Sequence, residues 1–397
     1  MSRTVWAVKA ATYCARLLAD GDMGDELRSL LIDLRTPTTS GPVGSIVVSP
    51  NASGSYVIRS DQRVWNDDVP AADVPDQVVH MLLRAALDQE PSLVHIHAGS
   101  VAAGDRTAVL AGLPGCGKST AIAALVSSGL SYVTDERLAV SADGRSVGGF
   151  PKPLSLIEGS FGVLARLDPE LTGHGASNGE TWQIPASSIG PVASQAFRSP
   201  IVLIFIAYRS GRALRVTSVS PVAAAARLLS DSPDVSVRGH HGADAIVTLT
   251  SSVASVEIEY SELDDLVEAV RNLLDHPPTV RHDEPMMLDS SAPCGHLAPR
   301  APSAVDTTGT YAIVEGASVW VVDGCALAYI HEAGSIIELD SINGLWLQLL
   351  DGNSTVDVLI EEVAEATGTS VAAVSATACS IVHGLWVAGV IGPTSVV

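Results

Sequence analysis

The feature that most constrains the fold is a glycine-rich segment, residues 112–119, with the pattern Gly-x-x-x-x-Gly-Lys-Ser. Glycines at this spacing expose successive backbone N–H groups, and a helix that follows adds the positive end of its dipole. The flanking sequence supplies that context, because residues 107–111 are typical of a buried strand and residues 119–128 predict a helix ending at Gly129. A chance glycine-rich turn is disfavoured by these neighbours, so the segment predicts a phosphate-binding loop.

The loop predicts a site for ATP, or another nucleoside triphosphate, together with Mg²⁺. Lys118 is expected to contact the β- and γ-phosphates, and the Ser119 hydroxyl to hold the metal. The predicted nucleotide contacts within this stretch are Gly112, Pro114, Gly115, Cys116, Gly117, Lys118, Ser119 and Thr120.

Two acids follow the next predicted strand, residues 130–134. Asp135 and Glu136 begin sixteen residues after Ser119. In a strand, loop, helix and strand unit they lie close enough to share the metal or to accept a proton from an attacking hydroxyl. Acids at strand ends are about as often helix caps or solvated loop residues, so spacing alone leaves both interpretations open.

Three basic side chains are further candidates. His97 ends the predicted strand 93–97 and would lie near a transferred group, although a histidine in such a place is more often structural. Lys152 lies between two prolines, whose fixed φ predicts a rigid loop that aims the lysine; the alternative is a solvated surface lysine. Arg209 follows the apolar strand 201–207 and either faces phosphate or caps the strand, of which we favour the cap.

The composition limits the class of protein. The chain has 397 residues, 47% hydrophobic and 17% charged, which is typical of a globular protein with two or more domains. Its formal net charge of −21 opposes binding to nucleic acid and to anionic membranes. Because no apolar run is long enough to cross a bilayer and no export signal is evident, we expect a cytoplasmic protein with reduced cysteines. Cys294 and His296 are interpreted as chance neighbours rather than metal ligands.

A proline-rich stretch, residues 275–308, has no apolar periodicity and predicts a linker. Before it we expect a subdomain of uncertain role, residues 1–90, and a nucleotide-binding domain, residues 91–274. After it, residues 309–397 have a suitable size for a small domain.

The region around the loop resembles the HPr serine kinase family, and in particular its relatives in gene clusters for ribosomally made, modified peptides. The resemblance is carried by His97, the glycine-rich loop, Asp135 with Glu136, and the runs 150–156, 208–211 and 260–266. It implies an α/β P-loop kinase core similar to that of phosphoenolpyruvate carboxykinase. It also implies transfer of a phosphoryl group from a nucleotide to a serine hydroxyl of a peptide or protein.

Roles for individual residues follow from this resemblance. Asp135 would accept the serine proton with His97 assisting. Lys118 would bind phosphates, while Ser119 and Glu136 would hold Mg²⁺.

The chain also departs from the family pattern. The family commonly has two adjacent aspartates where this chain has Asp135 and Glu136, and often a serine where it has Pro114. The longer Glu136 side chain moves its carboxylate outward.

Lys152 is expected to join the nucleotide site. Because relatives of the family are often oligomers, a homo-oligomer is an open alternative.

The C-terminal region has its own pattern of elements. Three short strands are predicted at residues 319–322, 325–331 and 335–339, followed by helices that start near Asp340, Ser354 and Ser370. Trp346 and Trp386 occupy apolar helical positions and are expected to pack in the core.

This pattern, with the runs 339–346, 350–352 and 384–391, resembles a PqqD-like peptide recognition element. The resemblance implies a small α+β winged-helix domain that binds the leader segment of a precursor peptide. The leader would dock as an added strand beside Ser335–Leu339, against the last helix.

Together the two resemblances predict an ATP-dependent kinase for a serine or threonine hydroxyl of a ribosomal precursor peptide. Two alternatives stay open. One is a kinase acting on a small molecule, and the other is a non-catalytic scaffold that binds nucleotide and leader and delivers the peptide to other enzymes.

Overall fold

The protein is described by a computed structural model that covers most of the chain. The described residues are 3–10, 13–36, 44–61, 63–90, 92–157, 159–160, 162, 175–279, 282–290, 292 and 305–394. Cys294 and His296 lie outside the described residues. Within them, no helix combines the length and the apolar character needed to cross a bilayer.

The elements of the first half of the chain are, in order, β1 (Arg3–Ala10), β2 (Tyr13–Asp20), α1 (Gly21–Leu30), β3 (Arg35–Thr36), β4 (Gly44–Pro50), β5 (Tyr56–Ser60), β6 (Arg63–Val69), α2 (Val74–Gln89), β7 (Val94–His97), β8 (Gly99–Ala103), β9 (Arg106–Ala111), α3 (Lys118–Ser127), β10 (Ser131–Thr134), β11 (Arg137–Val140), β12 (Val147–Gly148), β13 (Leu154–Ile157), β14 (Ala176–Ser177), β15 (Thr181–Ile184), β16 (Pro200–Tyr208) and β17 (Arg215–Ser218).

The elements of the second half are α4 (Pro221–Ser230), α5 (Pro233–Ser252), β18 (Ala254–Tyr260), α6 (Leu263–Asp275), β19 (Met286–Leu288), β20 (Tyr311–Ile313), β21 (Ala317–Val322), β22 (Cys325–Ile330), β23 (Ser335–Leu339), α7 (Ser341–Leu349), α8 (Val356–Thr367), α9 (Val371–Val387) and β24 (Ile391–Pro393).

The chain divides into two compact units that are not contiguous in sequence. The first unit comprises residues 1–218 and 253–279, and the second comprises residues 219–252 and 280–397. The predicted nucleotide-binding domain, residues 91–274, included residues 219–252. The structure assigns that segment to the other unit, because α4 and α5 pack on strands of the C-terminal sheet.

The first ninety residues build a sheet of their own within the first unit. Its strand order is β3-β1-β2-β4-β5-β6, with β2 and β4 parallel. Helices α1 and α2 contribute to a core that includes Leu17, Leu27, Ile46 and Leu82. Phe150, from the downstream sequence, joins this core.

The central sheet of the first unit carries the glycine-rich loop. Its order is β10-β8-β9-β16-β18-β17, in which β9, β16 and β18 are parallel and the flanking strands antiparallel. Strands β9 and β16 are largely apolar and buried, as expected for strands covered on both faces, whereas β18 alternates apolar residues with Glu257 and Glu259. Mixed sheets with parallel strands joined by helices make this an α/β fold.

Two helices pack on this sheet for reasons visible in their sequence. In α6, Leu266, Val270, Leu273 and Leu274 recur at helical spacing and are buried, while acids occupy the first turn. Helix α3 is apolar nearly all round and is buried along most of its length. The predicted strand, loop, helix and strand order around residues 107–134 is confirmed, with boundaries within about a residue or two.

One strand near the loop was missed. The prediction had the strand ending at His97 followed by the strand 107–111 that leads into the loop, but β8 lies between these two strands in sequence. Strand β7 belongs instead to a small sheet of order β12-β11-β7. The sequence signal was weak because Gly99 and several alanines give β8 little apolar periodicity.

The second unit contains a four-stranded sheet of order β19-β21-β22-β23, followed by α7, α8 and α9. The predicted strands and helices of this region are confirmed. Asp340 and Ser370 cap α7 and α9 through side-chain hydrogen bonds to backbone N–H groups. Trp346 is buried in the core, and the partly buried Trp386 packs against that core.

Part of the predicted linker is structured. Met286–Leu288 form β19, which pairs antiparallel with β21, and Ala292 bridges to Val314. The absence of apolar periodicity in residues 275–308 therefore did not exclude a short edge strand. A three-residue strand is too short to show a period.

Both faces of this C-terminal sheet are covered. On one face, Val319 and Val321 contribute to the core shared with α7–α9. On the other face, Trp320 is fully buried and its indole Nε1 donates to Asp244 Oδ1 of α5 at 3.0 Å, while α4 packs on β22 and β23. The helical segment 221–252 thus completes the second unit, although its ends join strands of the first.

Candidate functional site

The glycine-rich loop joins the buried end of β9 to the first turn of α3. Gly115 and Gly117 adopt φ of 78° and 91°, the left-handed region that favours glycine. At Gly112 the constraint is steric, because a Cβ there would lie 2.8 Å from both the Ile206 carbonyl oxygen and Cys116 Sγ. The backbone of this loop therefore takes a path that a side chain would strain at Gly115 and Gly117 and would obstruct at Gly112.

Lys118 lies folded over this loop and is only 7% exposed. Its Nζ donates to the Gly112 carbonyl oxygen at 2.6 Å and lies 3.5 Å from that of Leu113. Among the residues that the structure describes, no carboxylate lies within ion-pair distance of this ammonium. A buried cation held only by carbonyl dipoles at a helix N-terminus is a site that favours an anion.

A second buried cluster lies where β10 ends. Lys152 Nζ lies 2.8 Å from Asp135 Oδ1 and 3.4 Å from Glu136 Oε2. Tyr132 Oη lies 2.8 Å from Asp135 Oδ1 and 3.0 Å from the Lys152 carbonyl oxygen, and can donate to either. Asp135 is 2% exposed and Lys152 is 1% exposed. The carboxylate that the sequence predicts as a base is thus fixed by two side chains.

The ionisation of this cluster follows from burial and charge. Burial by itself lowers the pKa of Lys152, but the negative charges of Asp135 and Glu136 outweigh it and leave the pKa raised. Burial, followed by the charge of Asp135, holds the pKa of Tyr132 well above its usual value of 10.0. At neutral pH the lysine is therefore an ammonium and the tyrosine a neutral donor.

The structure corrects one of the two interpretations of Lys152. The residue is not a solvated surface lysine, and its ammonium contacts Asp135 and Glu136 rather than lining the cavity beside the loop. The two flanking prolines do aim it, but toward the acids. The contacts thus make Lys152 a residue that positions Asp135.

A cavity of about 770 Å³ opens beside the loop. It is lined by His97, residues 115–120, Ser155, Ile157, Gly159, Ser160, Tyr208 and residues 260–264. Asp135 does not line it, but its Oδ2 lies 3.5 Å from the backbone N of Ser155, which does. The Asp135 carboxylate therefore lies on the far side of Ser155 from the cavity.

The structure brings His97 to this cavity as well. Strands β7 and β11 pair with His97 opposite Arg137, two residues after Asp135. His95, two residues earlier, is buried. The sequence prediction that His97 lies near the loop is supported by geometry even though the intervening strand β8 was missed.

The contacts among several lining residues gave no signal in the sequence, although Tyr208 and Tyr260 begin two of the runs that carry the family resemblance. Tyr208 and Tyr260 end neighbouring parallel strands, and their rings meet edge to face with centroids 5.8 Å apart. Burial raises the pKa of Tyr260 to about 12. Ser160 Oγ accepts from Thr120 Oγ1 at 2.7 Å. These contacts join residues distant in sequence, so local patterns could not reveal them.

Arg209 extends the end of β16, as the favoured interpretation had it. Its backbone N–H donates to the Tyr260 carbonyl oxygen, and its guanidinium lies 3.9 Å from Glu259.

In the described part of the chain, no group of three or more His, Cys, Asp or Glu side chains is arranged to hold a metal. A magnesium site at Ser119 and Glu136 would thus need oxygens from the nucleotide as well.

No protein-family model and no curated protein matches this chain. Among solved structures, the chain is similar to the HPr(Ser) kinase/phosphatase from Coxiella burnetii, with 12% identity and a TM-score of 0.23. The match covers 45% of this chain and 96% of that one. At this TM-score the likeness carries no weight, and the geometry of the loop and its neighbours is what supports a function.

Proposed function

We propose that the protein is an ATP-dependent kinase that phosphorylates a serine or threonine hydroxyl of a ribosomal precursor peptide. The observation that carries the proposal is the glycine cradle with buried Lys118 at the N-terminus of α3, with the fixed carboxylate of Asp135 behind the cavity wall at Ser155. The first gives an anion site and the second a group that can take a proton.

The loop residues fit a triphosphate. Their glycines leave room for close backbone approach, and the Lys118 ammonium can exchange its carbonyl partners for phosphate oxygens. Ser119 and Glu136 are the proposed ligands of Mg²⁺. Bound ATP with Mg²⁺ would supply the transferable phosphoryl group and neutralise part of its charge.

Asp135 and His97 are the proposed groups for proton transfer. The acceptor oxygen would form a bond to the γ-phosphorus while the bond from that phosphorus to the β–γ bridging oxygen breaks and ADP leaves. The proton of the acceptor hydroxyl would pass to the Asp135 carboxylate, with His97 assisting from the cavity wall. Tyr132 and Lys152 hold Asp135 in place. Catalysis would rest on alignment and charge neutralisation, as phosphoryl transfer requires.

The second unit is the proposed reader of the leader peptide. Strand β23 ends the described sheet, and its Ile336 and Ile337 side chains are partly exposed. An edge strand of this kind can accept another strand. Leader binding there, against α9, would raise the effective concentration of the acceptor hydroxyl.

The test is incubation with ATP, Mg²⁺ and the precursor peptide encoded beside this chain, followed by intact-mass measurement. We expect a gain of one phosphate that is lost when the leader is removed from the peptide. No gain with the full-length peptide would contradict kinase activity on this substrate. Phosphorylation without leader dependence would contradict the role of the second unit.

One observation favours the scaffold alternative. Asp135 is almost fully buried and ion-paired, and it does not line the cavity. A protein that only binds nucleotide and leader would need no exposed base. Tight binding of both, without phosphate transfer to any acceptor, would favour this alternative, whereas leader-independent transfer to a small molecule would favour a small-molecule kinase.

A further inference from the structure

One wall of the cavity is aromatic and leads away from the phosphate loop. Tyr260 adjoins the loop, since a Cβ on Gly117 would lie 3.2 Å from its hydroxyl oxygen. Tyr208 meets the Tyr260 ring edge to face. Tyr260 is buried, whereas Tyr208 is 51% exposed. The wall thus runs from Gly117 past the buried ring of Tyr260 to the half-exposed ring of Tyr208.

The charges along the cavity differ in sign. Lys118 and the N-terminus of α3 lie at the loop, while the carboxylates of Glu262 and Asp264, both exposed, lie among the residues that follow Tyr260. A triphosphate is attracted to the first group and repelled by the second. A nucleotide is therefore oriented with its uncharged base toward the tyrosines and acids.

From this polarity we infer that Tyr208 stacks on the nucleobase, and that Glu262 or Asp264 accepts a hydrogen bond from an exocyclic amino group of that base. Base recognition at this wall rests on the nucleotide binding proposed above. It adds selectivity for the base of that nucleotide. The ligand class is a nucleoside triphosphate whose base carries an amino group, such as ATP.

The chemistry of each group supports this assignment. An exposed tyrosine face offers a stacking surface to any base, and the edge-to-face contact with buried Tyr260 holds the Tyr208 ring in one orientation. A carboxylate only accepts hydrogen bonds, so it pairs with an amino group and not with a carbonyl. A cavity of about 770 Å³ is within the range of small-molecule sites.

The experiment titrates three ligands, each with Mg²⁺, into the full-length protein by calorimetry. ATP carries base and amino group, inosine triphosphate has a carbonyl in place of the amino group, and inorganic tripolyphosphate has no base. The variants are Tyr208→Phe, Tyr208→Leu and Glu262→Gln/Asp264→Asn. Phe197→Leu is a matched control, because Phe197 is 42% exposed and does not line the cavity.

We expect Tyr208→Leu to weaken ATP binding by roughly tenfold and to leave tripolyphosphate binding unchanged. Tyr208→Phe and Phe197→Leu should bind ATP as the wild type does. The wild type should bind ATP more tightly than inosine triphosphate, and the double acid variant should reduce that ratio.

Unchanged ATP affinity in Tyr208→Leu would overturn the stacking role, and an equal loss for ATP and tripolyphosphate would do the same. Equal wild-type affinities for ATP and inosine triphosphate would overturn recognition of the amino group. These results leave the proposed kinase standing. Failure of the wild type to bind any of the three ligands would contradict the proposed function itself, and the base site with it.

Discussion

Two buried lysines, Lys118 and Lys152, have opposite surroundings. Lys118 is held by carbonyl oxygens of the glycine-rich loop, whereas Lys152 is paired with Asp135 and Glu136. Both are less than a tenth exposed. The charge of Lys152 is compensated by carboxylates, whereas the described residues place only carbonyl and helix dipoles around Lys118.

The difference in surroundings distinguishes an ammonium that can bind an anion from one that positions a carboxylate. A buried charge without a counter-ion is costly, so Lys118 gains most when an anion arrives. Lys152 already has its counter-ions, and a phosphate would have to displace them. In the proposed function, phosphate binding would therefore belong to the loop, and Lys152 would fix the carboxylate of Asp135.

Replacing Lys152 by alanine should have the largest effect on stability. The substitution leaves the buried Asp135 carboxylate without its counter-ion, and breaking such a pair costs about 3–5 kcal/mol. Urea denaturation measures the change in the free energy of unfolding. The matched control is Lys9→Ala, at an exposed lysine, where we expect a change of no more than about 0.5 kcal/mol. Equal effects of the two substitutions would refute the contrast between Lys152 and a surface lysine.

Replacing Tyr132 by phenylalanine should have the next largest effect. The hydroxyl is a hydrogen-bond donor within 2.8 Å of Asp135 Oδ1, and losing a bond to a charged group costs about 1.5–3 kcal/mol. Nucleotide affinity should stay close to that of the wild type, because Tyr132 does not line the cavity. A variant as stable as the wild type would show that the hydroxyl does not support the acid.

Replacing Gly112 by alanine tests the loop side of the comparison. The added methyl would lie 2.8 Å from the Ile206 carbonyl oxygen, so the loop must shift at a cost of about 1–3 kcal/mol. Here nucleotide affinity should fall along with stability. Gly104→Ala is a useful control, since its left-handed φ of 65° is strained but its surroundings are open. Equal nucleotide binding in wild type and Gly112→Ala would exclude a steric role for this glycine.

Alkaline pH should gradually weaken the buried cluster of Asp135, Glu136, Lys152 and Tyr132. The folded-state pKa values of Lys152 and Tyr132 are both raised, so the folded protein keeps protons that the unfolded chain releases. Their contribution is complete below about pH 10 and is lost as pH rises through the folded-state values. Denaturation at about pH 9 and about pH 11 should show a smaller loss in Tyr132→Phe than in the wild type. Identical losses would remove Tyr132 from this explanation.

Much of the architecture near the loop follows from local sequence. Glycine spacing, an apolar strand before it and an apolar helix after it all lie within about thirty residues, and each was predicted. The capped helices of the second unit, such as α7 after Asp340, were predicted for the same reason.

The remaining features depend on distant contacts. Prolines beside Lys152 indicated rigidity, but only the fold shows that the lysine points at Asp135. Tyr132 looked like an ordinary apolar strand residue, and its hydroxyl partners are side chain and backbone groups from two segments. Likewise, nothing local indicates that Asp244 bonds Trp320, 76 residues away.

The measurement that tests the central claim most directly is calorimetric titration of ATP with Mg²⁺ into the wild type and Lys118→Met. We expect the wild type to bind and Lys118→Met to lose at least about tenfold in affinity, because a charge-assisted bond to phosphate contributes about 1.5–3 kcal/mol. The melting temperature should be almost unchanged, since no carboxylate in the described part of the chain loses a partner. Equal affinities for the two proteins would contradict the assignment of phosphate binding to Lys118.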